Sequence, residues 1–141
     1  MTIEIKHSTS TAHIITGHPG KCNNLHGHNY NFTIGVSSPD LNALGMVVDF
    51  STLKNKVKYI LDEMYDHKTI IYKEDPRAEV LAGIGAKLVD YNPTAEKMAR
   101  RIYSVLCKVF EKDEALADLC ISYIKVEETE NNSAIVRGEY L

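Results

Sequence analysis

Apolar and polar positions alternate with a period of two in some stretches of this chain and recur at three- and four-residue steps in others. Tyr30, Phe32, Ile34 and Val36 share one face of an alternating run, so residues 27–37 read as a strand with one buried side. Residues 2–17, rich in Ile and Thr, read as its partner, followed by the turn signal Gly17-His18-Pro19-Gly20. Helical spacing then takes over. Phe50, Leu53, Val57, Ile60, Leu61 and Met64 form one apolar stripe, with Asp49 or Ser51 available as the cap. Ala95, Met98, Ala99, Ile102, Leu106 and Val109 form a second, which starts after Asn92-Pro93-Thr94. Between the stripes, a short helical turn is expected near Ala78–Ala82 and a strand at Ala86–Tyr91. Two more strands, about 119–129 and 133–140, close the chain through Glu130-Asn131-Asn132-Ser133. The order strand, strand, helix, helix, strand, strand predicts an α+β domain: a four-stranded antiparallel sheet with both helices on one face.

Composition narrows the picture. At 141 residues the chain is expected to form a single domain over 1–141, with a core that needs no covalent staples. A net charge of −3 offers no basic field, so nucleic acid is not an expected partner. No apolar run approaches membrane-spanning length and the N-terminus lacks a signal-peptide core, so neither a membrane nor export is expected. Three cysteines, widely spaced at Cys22, Cys107 and Cys120, do not suggest a disulfide framework. A reducing, cytoplasmic setting is the expectation.

The candidate chemistry is concentrated in Cys22-Asn23-Asn24-Leu25-His26-Gly27-His28. Residues i and i+2 of a strand point to one face, so His26 and His28 can converge on one ion. If the first two strands form a hairpin about Pro19–Gly20, His13 falls opposite His26 and supplies a third imidazole. Three neutral ligands leave zinc its Lewis acidity and an open position for substrate. Cys22 stands in a polar loop beside this candidate dication site. There it is either a thiolate base activated by nearby positive charge or a fourth ligand that closes the metal. Cys107 and Cys120 read as buried structural cysteines. Strand parity places Glu128 on the face of Ile124 and Val126, and Glu127 on the other face, where it can pair with Lys125.

The run Cys22-x-x-x-His26-Gly27-His28-Asn29-Tyr30 resembles the signature of the 6-pyruvoyl-tetrahydropterin synthase and 6-carboxytetrahydropterin synthase superfamily. Ala12-His13, Val48-Asp49-Phe50, Tyr65-Asp66-His67-Lys68, Asn92-Pro93-Thr94-Ala95-Glu96 and Val126-Glu127-Glu128-Thr129 follow in the family's order. The likeness runs from about residue 4 to Glu139. It implies a T-fold (tunnelling fold), in which sheets of several subunits close into a barrel, and a homo-oligomer, a hexamer built as a dimer of trimers.

That resemblance also implies roles. His13, His26 and His28 would hold Zn2+; Cys22 would be the catalytic thiol; Asp66 and His67 would form a proton-shuttling pair; Glu128 would anchor the pterin. Thr94 is expected to cap the second helix and to touch the pterin. By spacing alone Asp66-His67 is only a helix end, so its role rests on the resemblance. The implied substrate is the small molecule 7,8-dihydroneopterin triphosphate, and the implied products of the queuosine-pathway member are 6-carboxy-5,6,7,8-tetrahydropterin, acetaldehyde and triphosphate. A 6-pyruvoyl-tetrahydropterin synthase, or a zinc-stabilised binding protein without turnover, are the alternatives. Lys21, Lys68 and Arg137 are candidate cations for the triphosphate, or simply solvated charge. Residues 73–88 depart most from the short loops of such a domain, and substrate selection or subunit contacts would differ there.

Overall fold

A computed structural model describes residues 1–138. The chain opens with β1 (Thr2–His13) and β2 (His26–Ser37), an antiparallel hairpin whose register runs unbroken from Thr2 opposite Ser37 to His13 opposite His26. Inward positions of both strands form one row. Tyr30, Phe32, Ile34 and Val36 are fully buried, and Ile5, Thr9, Thr11 and His13 face the same side. The outward positions (Glu4, Lys6, Ser8 and Ser10 on β1; Asn29 and Asn31 on β2) are polar and exposed.

Helices α1 (Phe50–Tyr65) and α3 (Ala95–Phe110) pack on the inward face, α1 against β1 and α3 against β5 (Cys120–Glu127) and β6 (Ser133–Arg137). Asp49 caps α1, accepting from the amides of Ser51 and Thr52, and Thr94 caps α3, accepting from the amide of Lys97. Leu53, Val57, Leu61 and Tyr65 point inward from α1; Met98, Ala99, Ile102, Leu106 and Phe110 do so from α3. Phe50 does not belong to the stripe. It stands at the first turn of α1, beyond the sheet's reach, and is 56% exposed.

The sheet has six strands rather than the expected four, in the order β4-β3-β1-β2-β5-β6. The additional pair, β3 (Lys68–Tyr72) and β4 (Lys87–Val89), runs parallel to β1, so the sheet is mixed. A short helix, α2 (Ala78–Ala82), lies between them where a helical turn was expected. Alternation could not reveal β3 because both its faces are covered. Ile70 enters the main core, while Ile71 packs with Ile14 and Ala78 in a second, smaller cluster. The expected strand at 86–91 is β4, trimmed at both ends. The expected run of β6 to residue 140 ends beyond the described residues.

One irregularity re-aims β5. Gly35 pairs with Tyr123 but Val36 pairs with Ile121, leaving Ser122 as an extra residue. The bulge turns Ile121 into the core in place of Ser122, and parity holds from Ile124 and Val126 onward. Gly35 is required here: a Cβ would meet the ring of Tyr123 at 2.4 Å. Tyr123 lies across it and donates its hydroxyl to Glu4.

These assignments separate two phenylalanines. Phe32 is fully buried, its ring stacked at 6.2 Å on Tyr30 and 5.9 Å on Tyr65. Phe32→Ala should cost about 3–5 kcal/mol in denaturant unfolding. Phe50→Ala should change stability by about 0.5 kcal/mol or less. Equal losses in the two variants would mean that the face of α1 is wrongly assigned.

Candidate active site

The hairpin places the site at one end of the sheet. His13 is the last residue of β1, His26 the first of β2, and Tyr30 the next core position after His28 on the same face. A β2 slip of one residue would turn both imidazoles outward together with the aromatic row, so core packing and site share one register. The rings of His13 and His26 are 4.5 Å apart between centroids, and those of His26 and His28 are 5.0 Å apart.

Hydrogen bonds to main-chain carbonyls decide the tautomers. His13 Nδ1 lies 2.8 Å from the Pro93 carbonyl, and His26 Nδ1 lies 2.7 Å from the Asn24 carbonyl. A carbonyl only accepts, so each Nδ1 carries the proton and each neutral ring presents a bare Nε2. Those two Nε2 atoms face each other at 3.1 Å. Burial lowers the pKa of His13, opposed mainly by its bond to Pro93, so His13 is not the ring that readily protonates to relieve the contact. The Nε2 of His28 is buried and makes no hydrogen bond; it lies 3.2 Å from Glu128 Oε1 without hydrogen-bonding geometry. Burial also lowers the pKa of His28, with Glu128 opposing and His26 reinforcing.

Glu128 follows the last residue of β5, on the inward side, and its Oε1 is also 3.2 Å from His13 Nε2. His13, His26, His28 and Glu128 each offer a ligand atom within 4.8 Å of the others. Facing lone pairs, an orphaned buried nitrogen and a carboxylate fit a divalent cation, and three imidazoles with one oxygen suit zinc well. The carbonyls of Pro93 and Asn24 are the outer partners that fix ring orientation in such sites. This group could therefore hold a metal ion.

Cys22 is not part of that group. It lies on a single 3₁₀ turn, Lys21–Asn23, and lines a cleft of about 210 Å³ with Thr94, Glu128 and His18. The cleft thus unites three residues singled out from sequence, Cys22, Thr94 and Glu128, beside the imidazole cluster. Glu127 turns the other way and pairs with Lys125 at 3.0 Å, as strand parity predicts. Cys107 is half-buried and Cys120 exposed, so neither is the fully buried core thiol expected of them. His7 bonds to Asp62 at 2.6 Å, away from the site.

Asp66 and His67 face one another, although adjacency alone did not require it. His67 Nδ1 is 2.9 Å from Asp66 Oδ2, the Ser10 amide donates to Asp66 Oδ1, and the His67 amide donates to the Ser10 carbonyl. His67 adopts φ 54, a left-handed conformation uncommon outside glycine. The pair does not join Cys22 within one chain. His67 lines a different hollow of about 440 Å³ with Ser10, Asn29 and Lys68, which His28 borders as well but Cys22 does not.

From sequence Tyr30 reads as a core residue and as the end of the signature run, with no role in the site. Its ring is buried, but its hydroxyl reaches 3.2 Å from both His13 Nδ1 and Glu128 Oε1. Burial, with the Glu128 carboxylate adding to it, pushes its pKa far above the usual range, so the phenol stays a donor to Glu128. Its position two residues beyond the second imidazole, on the same face, was the available signal.

Among the described residues no helix is long and apolar enough to cross a membrane. The model of the 6-pyruvoyl tetrahydropterin synthase family matches residues 2–139. A 6-carboxy-5,6,7,8-tetrahydropterin synthase of Haemophilus influenzae is 38% identical over 132 residues, covering 86% of this chain and 88% of its own. One of Rickettsia felis is 33% identical, with 84% and 87% covered. The 6-pyruvoyl tetrahydrobiopterin synthase of Drosophila melanogaster is 29% identical, with 86% and 64% covered. In fold the chain resembles the 6-pyruvoyl tetrahydropterin synthase of Caenorhabditis elegans, with TM-score 0.69, 24% identity and 98% and 95% of the two chains covered. The α+β architecture is therefore the T-fold, and the chain belongs to the 6-pyruvoyl tetrahydropterin synthase family.

Proposed function

We propose that this pterin synthase is a 6-carboxytetrahydropterin synthase, which converts 7,8-dihydroneopterin triphosphate to 6-carboxy-5,6,7,8-tetrahydropterin, acetaldehyde and triphosphate in the queuosine pathway. The observation that carries the proposal is the convergence of three Nε2 atoms beside a cleft holding a thiol and a carboxylate. The relatives at 33% and 38% identity bear that enzyme's name, which supports the carboxy product over the pyruvoyl one.

His13, His26 and His28 would hold zinc. When bound, zinc supplies Lewis acidity that favours loss of protons from the substrate's side chain. Glu128 accepts hydrogen bonds from the pterin's N–H and amino groups, a bidentate match for a carboxylate, while the Tyr30 hydroxyl orients it. Thr94, at the start of α3, lines the pterin's side of the cleft. Cys22 as thiolate removes a side-chain proton, and its place outside the ligand group supports the base over a fourth ligand. Asp66 holds the tautomer of His67, which exchanges protons with the substrate hydroxyls. Because that pair lines a different hollow from Cys22, it would serve the cleft of a second copy, in keeping with a homo-oligomer.

A second assignment of one residue has its own support. Glu128 Oε1 lies as close to two imidazoles as a fourth metal ligand would, and a carboxylate cannot fully serve both tasks.

Product analysis tests the whole proposal. The zinc-loaded protein should release acetaldehyde and a carboxypterin from 7,8-dihydroneopterin triphosphate, detectable by mass spectrometry. A pyruvoyl product would make it a 6-pyruvoyl-tetrahydropterin synthase, and no consumption would leave a binding protein. Cys22→Ala should keep one zinc per chain by elemental analysis while turnover falls about 10²- to 10⁴-fold; loss of the metal would instead make Cys22 a ligand. Glu128→Gln should retain zinc and raise KM about 10-fold or more, as expected for a lost charge-assisted bond. Zinc loss in that variant would move Glu128 from the pterin to the metal.

A further inference from the structure

Residues 73–88 have no part in the chemistry above, yet they contain the most heavily hydrogen-bonded ion pair of the described chain. Asp75 is buried, and its two oxygens accept four bonds. Oδ1 takes the Arg77 amide and Arg77 Nε, each at 2.8 Å, and Oδ2 takes Arg77 Nη2 at 2.8 Å and the Thr16 hydroxyl at 2.7 Å. The Arg77 guanidinium holds the Asp75 carboxyl far below the usual carboxylate range. With two donors occupied there, the guanidinium sends two more to Asn23: Nη1 to its carbonyl at 2.7 Å and Nη2 to its side-chain Oδ1 at 2.9 Å.

Thr16 and Asn23 are the two shoulders of the loop that carries the thiol. Thr16 lies just beyond the bond from the Ile15 amide to the Cys22 carbonyl, and Asn23 is bonded to Cys22 itself. The turn's own ties are few. They are the Asn23 amide to the Gly20 carbonyl at 3.2 Å and the Asn24 amide to the Lys21 carbonyl at 2.9 Å. A planar fork reaching both a carboxylate and an amide in fixed directions is a task for arginine, and a lysine ammonium cannot reproduce it.

We propose that Arg77, locked by Asp75, is a positioning residue that clamps the Lys21–Asn23 turn and thereby sets where the Cys22 thiol sits in the cleft. Its consequence for turnover rests on Cys22 being the base, whereas its consequence for the thiol does not. Arg77 touches no residue of the metal group in the described contacts; it reaches the loop directly at Asn23 and, by way of Asp75, at Thr16.

The test uses the full-length, zinc-loaded protein and iodoacetamide, with alkylation mapped by peptide so that exposed Cys120 is the internal reference. Arg77→Ala should change the alkylation rate of Cys22 relative to Cys120 by about fivefold or more. It should also lower kcat about 10- to 100-fold, with KM within about twofold and zinc content unchanged, as expected of a base displaced by about an ångström. Arg77→Lys should not restore either value, and added guanidinium should partly restore both in Arg77→Ala. An unchanged Cys22 rate in folded Arg77→Ala overturns the proposal, as does loss of zinc with equal changes at Cys22 and Cys120, which would mean general loosening. If Arg77→Ala does not fold, Asn23→Ala decides. It removes only one of the two bonds at Asn23, so a shift of about twofold in the Cys22 rate supports the clamp and no shift overturns it. If Cys22→Ala keeps full turnover, the base assignment fails, and the alkylation comparison still judges the clamp. If Cys22→Ala is inactive but the Arg77→Ala shift leaves kcat unchanged, positioning is overturned.

Discussion

Two imidazole nitrogens, on His13 and His26, meet at 3.1 Å with their lone pairs turned toward each other. Nothing local favours that arrangement. It persists because the opposite nitrogen of each ring is committed to a carbonyl, Pro93 on one side and Asn24 on the other. The strands cannot move apart without breaking the β1–β2 register that also buries Tyr30, Phe32, Ile34 and Val36. The same twelve-residue hairpin strands thus supply the core and the frame of the site. Ring nitrogens so placed fit a cation between them, and affinity for one would appear as folding stability too.

The segment Asn92–Thr94 ties this pair to the rest of the domain. Asn92 grips the Thr16 backbone at both ends of its amide, accepting from the Thr16 nitrogen at 2.8 Å and donating to the Thr16 carbonyl at 2.9 Å. Pro93 orients His13, and Thr94 starts α3 while lining the cleft. Three consecutive residues therefore position loop, imidazole, helix and pocket wall, and a helix start is an economical place to do so because its geometry is already fixed by the cap.

What was legible in the sequence followed from periodicity and from one symmetry. The aromatic row of β2 announced its own face, and centring the hairpin on Pro19–Gly20 was enough to set His13 opposite His26. The stripes of α1 and α3 were read with their caps, but Phe50 shows that spacing cannot tell whether a helix's first turn overhangs the sheet. β3 escaped because Ile70 and Ile71 are buried on opposite faces, which removes alternation from a five-residue strand. Ser122 escaped because a bulge depends on what lies across it, here Gly35 and the ring of Tyr123. The Asp75–Arg77 bonds to Thr16 and Asn23 span more than fifty residues of sequence and have no periodic signature at all. Long-range polar pairing is decided by tertiary proximity, which local pattern does not encode.

Asp66 and His67 lie apart from the cleft of Cys22, so under the proposed chemistry one domain would hold every group assigned a role and still lack a complete site. The pair is held with care: two backbone bonds to Ser10, a 2.9 Å contact between the side chains, and a left-handed backbone at His67 that a β-carbon disfavours by roughly 1 kcal/mol or more. Such strain serves no purpose in a surface histidine that merely meets water, and His67 is 81% exposed. It is intelligible if the imidazole is aimed at something the isolated chain does not contain. Beside it, β1 pairs with β3 only over Thr11–His13 and Ser10 bonds to Asp66 and His67, so the edge before Ser10 has no strand partner among the described residues. An open edge next to a strained, exposed imidazole would be costly to leave bare. In the proposed chemistry, where Asp66 and His67 serve a second copy, that edge is where a covering strand would also meet backbone groups in need of partners.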